Sequence, residues 1–310
     1  MSSFITVNYH YVRPIKNSKF PNLKGLEVKE FINQINYLKN KYNIISATDI
    51  INTIINKDKL PKKACLITFD DGYKDHYKYV MPELLKKKVS GCFFPSAENI
   101  LNSTVTETNK IHFILNTQKN SEIIKDINYF LKKKNCNLPK REKIYKNFEK
   151  KFKKRWDNKE VKYIKYLLQT WIPSNLRKKC CTFLFKKYLE IDESQLSKDL
   201  YMSAKEIGEM IKNGMTIGGH GYRHIRLGEL SFSEQKIELN KMINFLKRYN
   251  IKKNWIMCYP YGSFNKDTVS ILLKKDCLLG FSTSSGRSSL IKKDLFNISR
   301  FDTNDIYKKF

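Results

Sequence analysis

Leu66-Ile-Thr-Phe-Asp-Asp-Gly-Tyr73 is the stretch on which the reading of this chain turns. Its apolar start reads as a buried strand, and two carboxylates, Asp70 and Asp71, stand at its end. Gly72 follows at once and lets the chain turn sharply. Much later comes Gly218-Gly-His-Gly-Tyr-Arg-His224, which places His220 and His224 four residues apart after another apolar run. One Asp and two His make a facial ligand set for a divalent metal, with positions left for water and substrate. The other Asp is then free to act as a base on that water. Asp-Asp-Gly alone is an ordinary solvated turn, and a lone H-x-x-x-H is common on helices and loops. Their shared place after strand-like runs, where α/β folds collect catalytic groups, points to metal-assisted hydrolysis.

With these motifs the chain resembles the polysaccharide deacetylases of the NodB type. The first family motif, T-F-D-D-G, is matched by Thr68 to Gly72. The second, H-[ST]-x-x-H, reads His220-Gly-Tyr-Arg-His224, with Gly221 in place of the hydroxyl residue that steadies the loop. The third, R-x-P-[YF], reads Cys258-Tyr-Pro-Tyr261, with Cys258 where the Arg would stand. The resemblance covers residues 62–100 and 203–305. It implies a distorted (β/α)7 TIM-like barrel. It also implies Asp70 as base, Asp71, His220 and His224 as ligands of one divalent metal (zinc), and the Tyr261 backbone N–H as oxyanion donor. Tyr259 and Pro260 of the same loop are carried as substrate-binding candidates. Members with a circularly permuted barrel place an early Tyr-His as His10 stands here, which implies His10 as the acid that protonates the leaving amine. Arg300 and Asp302 are further substrate-binding candidates. An Arg near Asp70 would keep that base ionised, and Arg300 or Arg13 can replace the missing motif-three Arg. His76 reads as a surface residue of the following helix, and His112 receives no role.

The remaining sequence bounds the class. A chain of 310 residues can bury a large single core. It has no apolar run of membrane-spanning length. Its start, Met1 to His10, reads as a first strand rather than a signal peptide. Seven cysteines without a C-x-x-C pair argue for reduced thiols and a cytoplasmic setting. With 59 Lys and Arg against 30 Asp and Glu, the surface suits acidic glycans or peripheral contact with an anionic membrane. Abundant Lys, Asn and Ile also fit simple compositional drift. No nucleic-acid-binding motif is present, and no nucleic-acid partner is expected.

Apolar runs at 4–9, 64–69, 91–95, 215–219, 254–259, 278–283 and 295–299 predict seven strands. Helical spacing lies between them, as in Phe31, Ile35, Leu38 and Tyr42, or Val80, Leu84 and Leu85. Ser203 with Glu206 and Ser231 with Glu234 predict capping boxes. Seven strands with interleaved helices suggest a TIM-type barrel one strand short, and the polar clusters all follow strand ends. Residues 1–310 read as one barrel, interrupted by a helical insertion at 101–202 that is too long for a plain loop. The expected reaction removes an N-acyl group, acetyl or formyl, from an amino sugar of a polysaccharide, a glycolipid or a cell-envelope precursor. The partner is then an acylated amino-sugar glycan or a lipid-linked sugar. The same parts would serve an O-acyl carbohydrate esterase. The departures at Gly221 and Cys258 leave a weak or inactive sugar-binding barrel as a further alternative.

Overall fold

Side-chain alternation along one central strand organises the molecule. The computed structural model describes residues 3–136 and 157–309. Its strands are β1 (Ser3–Tyr9), β2 (Asn43–Ile45), β3 (Ala64–Asp71), β4 (Cys92–Pro95), β5 (Thr216–Ile217), β6 (Trp255–Cys258), β7 (Cys277–Phe281), β8 (Ser288–Ser289) and β9 (Phe301–Asp302). β3 is buried along its whole length. It pairs in parallel with β1 on one side, from Ala64 to Phe69. Its other edge is shared end to end by β2, against Ala64 to Leu66, and β4, against Thr68 to Asp71. The order β5-β4-β3-β1 follows, with β9 also on β1, and β6 pairs with β7. These ladders are parallel, and short β8 runs antiparallel to β1.

Among the described residues, continuous ladders do not close a ring. Single bridges carry the order onward, from Gly219 to Met257 between β5 and β6, and from Phe281 to Ile298 after β7. The fold is therefore α/β with a distorted parallel sheet, as expected. The predicted strand at 295–299 contributes only that Ile298 bridge. Leu295 and Phe296 lie in a turn, and Asn297 and Ser299 are polar, so the run is too short to extend a ladder. β2, at three residues, was too short to predict.

Alternation sorts the core into two sets. Leu66, Cys92, Phe94, Ile256, Cys258, Leu279 and Phe281 cluster on the inner side of the strands. Cys65, Ile67, Phe69, Phe93 and Met257 face the other way, against helix residues such as Phe31, Ile35 and Leu38. The rings of Tyr9, Phe69 and Phe93 stack in sequence at 5.2 and 4.5 Å. Burying each such ring contributes about 2–3 kcal/mol. Both predicted capping boxes form, at Ser203 and Ser231. Leu85, read from its spacing with Val80 and Leu84, is instead exposed.

The chain divides into two compact units. The first comprises Met1–Pro14, Gly25–Thr104 and Ser197–Phe310, and holds every strand among the described residues. The second comprises Ile15–Lys24 and Val105–Leu196. Its helices include Glu107–Thr117, Asn120–Lys132, Lys159–Tyr166 and Ser174–Tyr188, with Ile111, Ile123, Ile127, Leu167 and Leu168 buried. Part of the expected insertion, 137–156, lies outside the described residues. The segments of this unit carry 26 Lys and Arg against 10 Asp and Glu, and the rest of the chain 33 against 20. Among the described residues no helix is long and apolar enough to cross a membrane.

Candidate active site and metal centre

β3 brings Asp70 and Asp71 to its carboxyl end, and the chain leaves the strand abruptly. Asp71 (φ 71°) and Gly72 (φ 70°) both take left-handed backbone. Such a conformation is unusual for a residue with a side chain, and it clusters at functional sites. Glycine at 72 has a second cause: a Cβ there would lie 2.6 Å from Pro95 Cβ. His224 (φ 56°) and Tyr261 (φ 58°) are left-handed as well. Three separate loops thus take an unusual turn around one centre.

His220 and His224 both aim Nε2 at Asp71 Oδ1, at 3.4 and 3.2 Å. All three residues are buried. His220 Nδ1 lies 2.9 Å from the Cys258 carbonyl and donates to it, which turns Nε2 toward the carboxylate. Together the three groups present donor atoms of the kind a divalent cation takes. Ligand atoms bound about 2.0–2.2 Å from one ion stand roughly 3.0–3.5 Å apart, and the observed separations fall in that range. The residues therefore fit a divalent metal. Burial would raise the Asp71 pKa, but hydrogen bonds from His220 and His224 hold it well below the ordinary carboxylate value. Burial opposes charge on His220, yet Cys258 and the hydrogen bond to Asp71 raise its pKa well above normal. The centre is built to receive positive charge.

Asp70 has different surroundings. Arg300 grips it with two parallel bonds, Nη1 to Oδ1 and Nη2 to Oδ2, both 2.8 Å. Arg300 is buried and also donates to the Ser282 carbonyl and to Asn8 Oδ1. Burial would raise the Asp70 pKa, but Arg300, then His220 and His10, bring it well below its usual value. Cys258, standing where the family has Arg, offers its thiol to Asp70 Oδ1 at 3.4 Å. Burial pushes that thiol's pKa up, so it remains a weak donor. Asp70, His220 and Cys258 also gather closely enough to consider as ligands. With Asp70 committed to Arg300 and the thiol protonated, the Asp71 group is the better metal site.

The other sequence candidates fall as follows. His10 lies just past β1, about half exposed, with Nε2 3.9 Å from Asp70 Oδ2. Tyr261 sits with its ring 4.9 Å from that of His224, under the Arg226 guanidinium at 4.3 Å. Pro260 is buried beside Gly221. Tyr259 is also buried, stacked on Phe264 at 4.3 Å, so its ring belongs to the core rather than to a substrate surface. Asp302 is exposed and caps the turn Thr303–Asp305 by accepting from Asn304 N at 2.9 Å. Arg300 faces Asp70 rather than an open cleft, and Arg13 pairs with Asp75 at 2.7 Å.

Gly221 (φ 70°) adopts a backbone that a Ser or Thr would strain. The loop is steadied instead by Glu238, buried on the helix Phe232–Lys247, which accepts from the backbone N–H groups of Tyr222 and Arg223 and from Arg223 Nε. Sequence reasoning missed Glu238, although it lies four residues before Met242 on an apolar face. It also missed Tyr73, whose hydroxyl donates to Asp71 Oδ2 at 2.7 Å. His76 is not at the surface: it is fully buried, and its place in the series His76, Val80 and Leu84, each four residues from the next, was the available signal.

A family model described as polysaccharide deacetylase matches residues 57–129 and 143–277. No curated protein matches the chain. Among solved structures, the deacetylase PplD of Streptococcus pyogenes, in complex with acetate, is 15% identical with TM-score 0.60, covering 97% of this chain and 92% of that one. IcaB from Ammonifex degensii is 16% identical with TM-score 0.58, covering 99% and 95%. The BpsB deacetylase domain from Bordetella bronchiseptica is 14% identical with TM-score 0.55, covering 97% and 95%. At such identities these likenesses concern the fold.

Proposed function

The chain belongs to the polysaccharide deacetylase family, hydrolases of non-peptide carbon–nitrogen bonds, and from that premise we propose that it removes an N-acetyl or N-formyl group from an amino sugar with the help of one divalent metal. The observation that carries this reading is the division of labour at the end of β3. Asp71 faces two imidazoles, and Asp70, one residue earlier, faces a guanidinium and a third imidazole.

Asp71, His220 and His224 would hold the metal, zinc by the N/O character of the set. When bound, it would polarise the acyl carbonyl and acidify a water. Asp70, kept ionised by Arg300, takes the proton of the attacking water. The Tyr261 backbone N–H faces the oxyanion. His10 gives a proton to the departing amine, and Arg300 acts through Asp70 rather than on the sugar. The products are a carboxylate, acetate or formate, and a free amino sugar. A similar fold has been solved with acetate bound, and acetate is the product expected here. The basic surface suits a phosphate- or carboxylate-bearing glycan, a lipid-linked sugar or a cell-envelope precursor at an anionic membrane face.

The test is acetate release from N-acetylglucosamine oligomers by protein stripped of metal and then reloaded with zinc. Release that depends on zinc supports the reading. Release that is unchanged by stripping, or hydrolysis confined to O-acetyl sugars, overturns it.

A further inference from the structure

The turn that follows the paired carboxylates grips the segment that carries His10. Strand β1 ends at Tyr9, so His10 to Arg13 lies beyond the main ladder. Three residues of the turn each hold one residue of that segment. His76 Nε2 lies 2.8 Å from the His10 carbonyl. Asp75 Oδ2 accepts from Arg13 Nε at 2.7 Å. The Tyr73 ring stacks on Tyr11 at 4.1 Å, while its hydroxyl donates to Asp71.

The burial contrast gives these contacts their meaning. The His10 side chain is 48% exposed. A half-solvated imidazole on a strand end is not placed by packing of its own ring, so its backbone must be placed. His76 is fully buried, its ring 5.3 Å from Phe69 and 5.6 Å from both Tyr73 and Phe93. Burial pushes its pKa down to about 4, so the ring stays neutral with one N–H. The carbonyl partner at Nε2 draws that hydrogen to Nε2. Asp75 is also buried, with Arg13 as its counter-ion.

We infer that His76, supported by Asp75 and Tyr73, is a positioning residue that ties the His10 segment to the turn beside Asp70 and so fixes the acid relative to the base. This rests on the reading of His10 as the acid. The clamp transfers no proton: it holds a backbone carbonyl. A displacement of about 1 Å in a reacting group can cost on the order of 10²-fold in rate.

The experiment compares an N-acetylglucosamine oligomer, whose amine is a poor leaving group, with 4-nitrophenyl acetate, whose phenolate needs no proton. Metal content and folding are measured on each variant. His76→Leu is expected to keep metal and to lose on the order of 10²-fold on the amide with little loss on the ester. His76→Gln, which restores an N–H at similar reach, should recover most of the amide rate. In a His10→Ala background, His76→Leu should cost nothing more. Equal losses on both substrates, or a further full loss in that background, overturn the clamp. If His10→Ala shifts the amide-to-ester ratio and folded His76→Leu does not, the clamp alone falls. If His10→Ala leaves the ratio unchanged, the acid role falls and the clamp with it. Should His76→Leu fail to fold, Asp75→Asn, which weakens the hold on Arg13 of the same segment, carries the same comparison, and an unchanged amide-to-ester ratio in that variant overturns the clamp.

Discussion

Asp70 and Asp71 are chemically identical neighbours, yet the two sides of the strand end surround them differently. Asp70 continues the inward parity of Leu66 and Thr68, and meets Arg300, Cys258 and, from the rim, His10. Asp71 turns out of the strand through a left-handed backbone, and meets His220, His224 and Tyr73. Alternation along a strand separates neighbouring side chains. The left-handed step then completes the separation that the proposed division into base and metal ligand requires. Both are buried, and both are held ionised against the cost of burial. Only the source of compensation differs: the Arg300 guanidinium for Asp70, and the His220 and His224 imidazoles for Asp71.

Removing the ligand side should have the largest effect. His220→Ala or His224→Ala is expected to lower bound zinc to background and to abolish sugar deacetylation, with the fold retained by circular dichroism. Metal content equal to that of the unaltered protein in both variants would break the assignment of Asp71 as the metal-facing carboxylate. Asp70→Asn comes next. It should keep full metal content while the rate falls on the order of 10² to 10⁴-fold, because the amide cannot accept the water's proton. Near-normal turnover would place the base elsewhere.

Arg300→Met sharpens the electrostatic half of the comparison. Breaking a buried ion pair by removing one partner costs about 3 kcal/mol, read from denaturant midpoints. With the guanidinium gone, burial opposes ionisation of Asp70 with less to offset it, so its pKa rises. The base then protonates sooner as pH falls, and the acid limb of the rate profile should move to higher pH, with metal content unchanged. An acid limb that stays in place would show that Arg300 does not set the state of Asp70. The smallest effect is expected for Tyr73→Phe. Losing the hydroxyl that orients Asp71 should weaken zinc about tenfold in a chelator competition, while the acid limb stays where it is. A shifted limb without weakened zinc would mean that the two sides are not independent.

Much of this site was legible as residue types. Asp70, Asp71, His220 and His224 declared themselves because a strand end and a metal ligand set both leave local patterns. Arg300 was legible only as one of two candidates for the missing motif-three Arg, since nothing in local sequence says which distant cation reaches Asp70. Tyr259 and Asp302 read like their neighbours but face the core and the solvent. Side-chain direction there depends on a 3-10 turn at Pro260–Gly262 and on the cap that Asp302 makes on the turn Thr303–Asp305, which local composition did not reveal.

The sequence by itself determined the α/β pattern, the buried parallel strands, the helix caps and the identity of the carboxylate and imidazole pairs. Each of these rests on contacts within a few residues or on the period of one element. Tertiary structure decided the rest. It brought Arg300 to Asp70 across 230 positions and turned Glu238 to hold the loop that lacks a Ser or Thr. It also drew His76 from an apparently open helix into the core beneath His10. These are pairings between elements far apart in the chain, and a buried polar group takes whichever partner the packing delivers, because leaving it unpaired costs more than any local preference supplies.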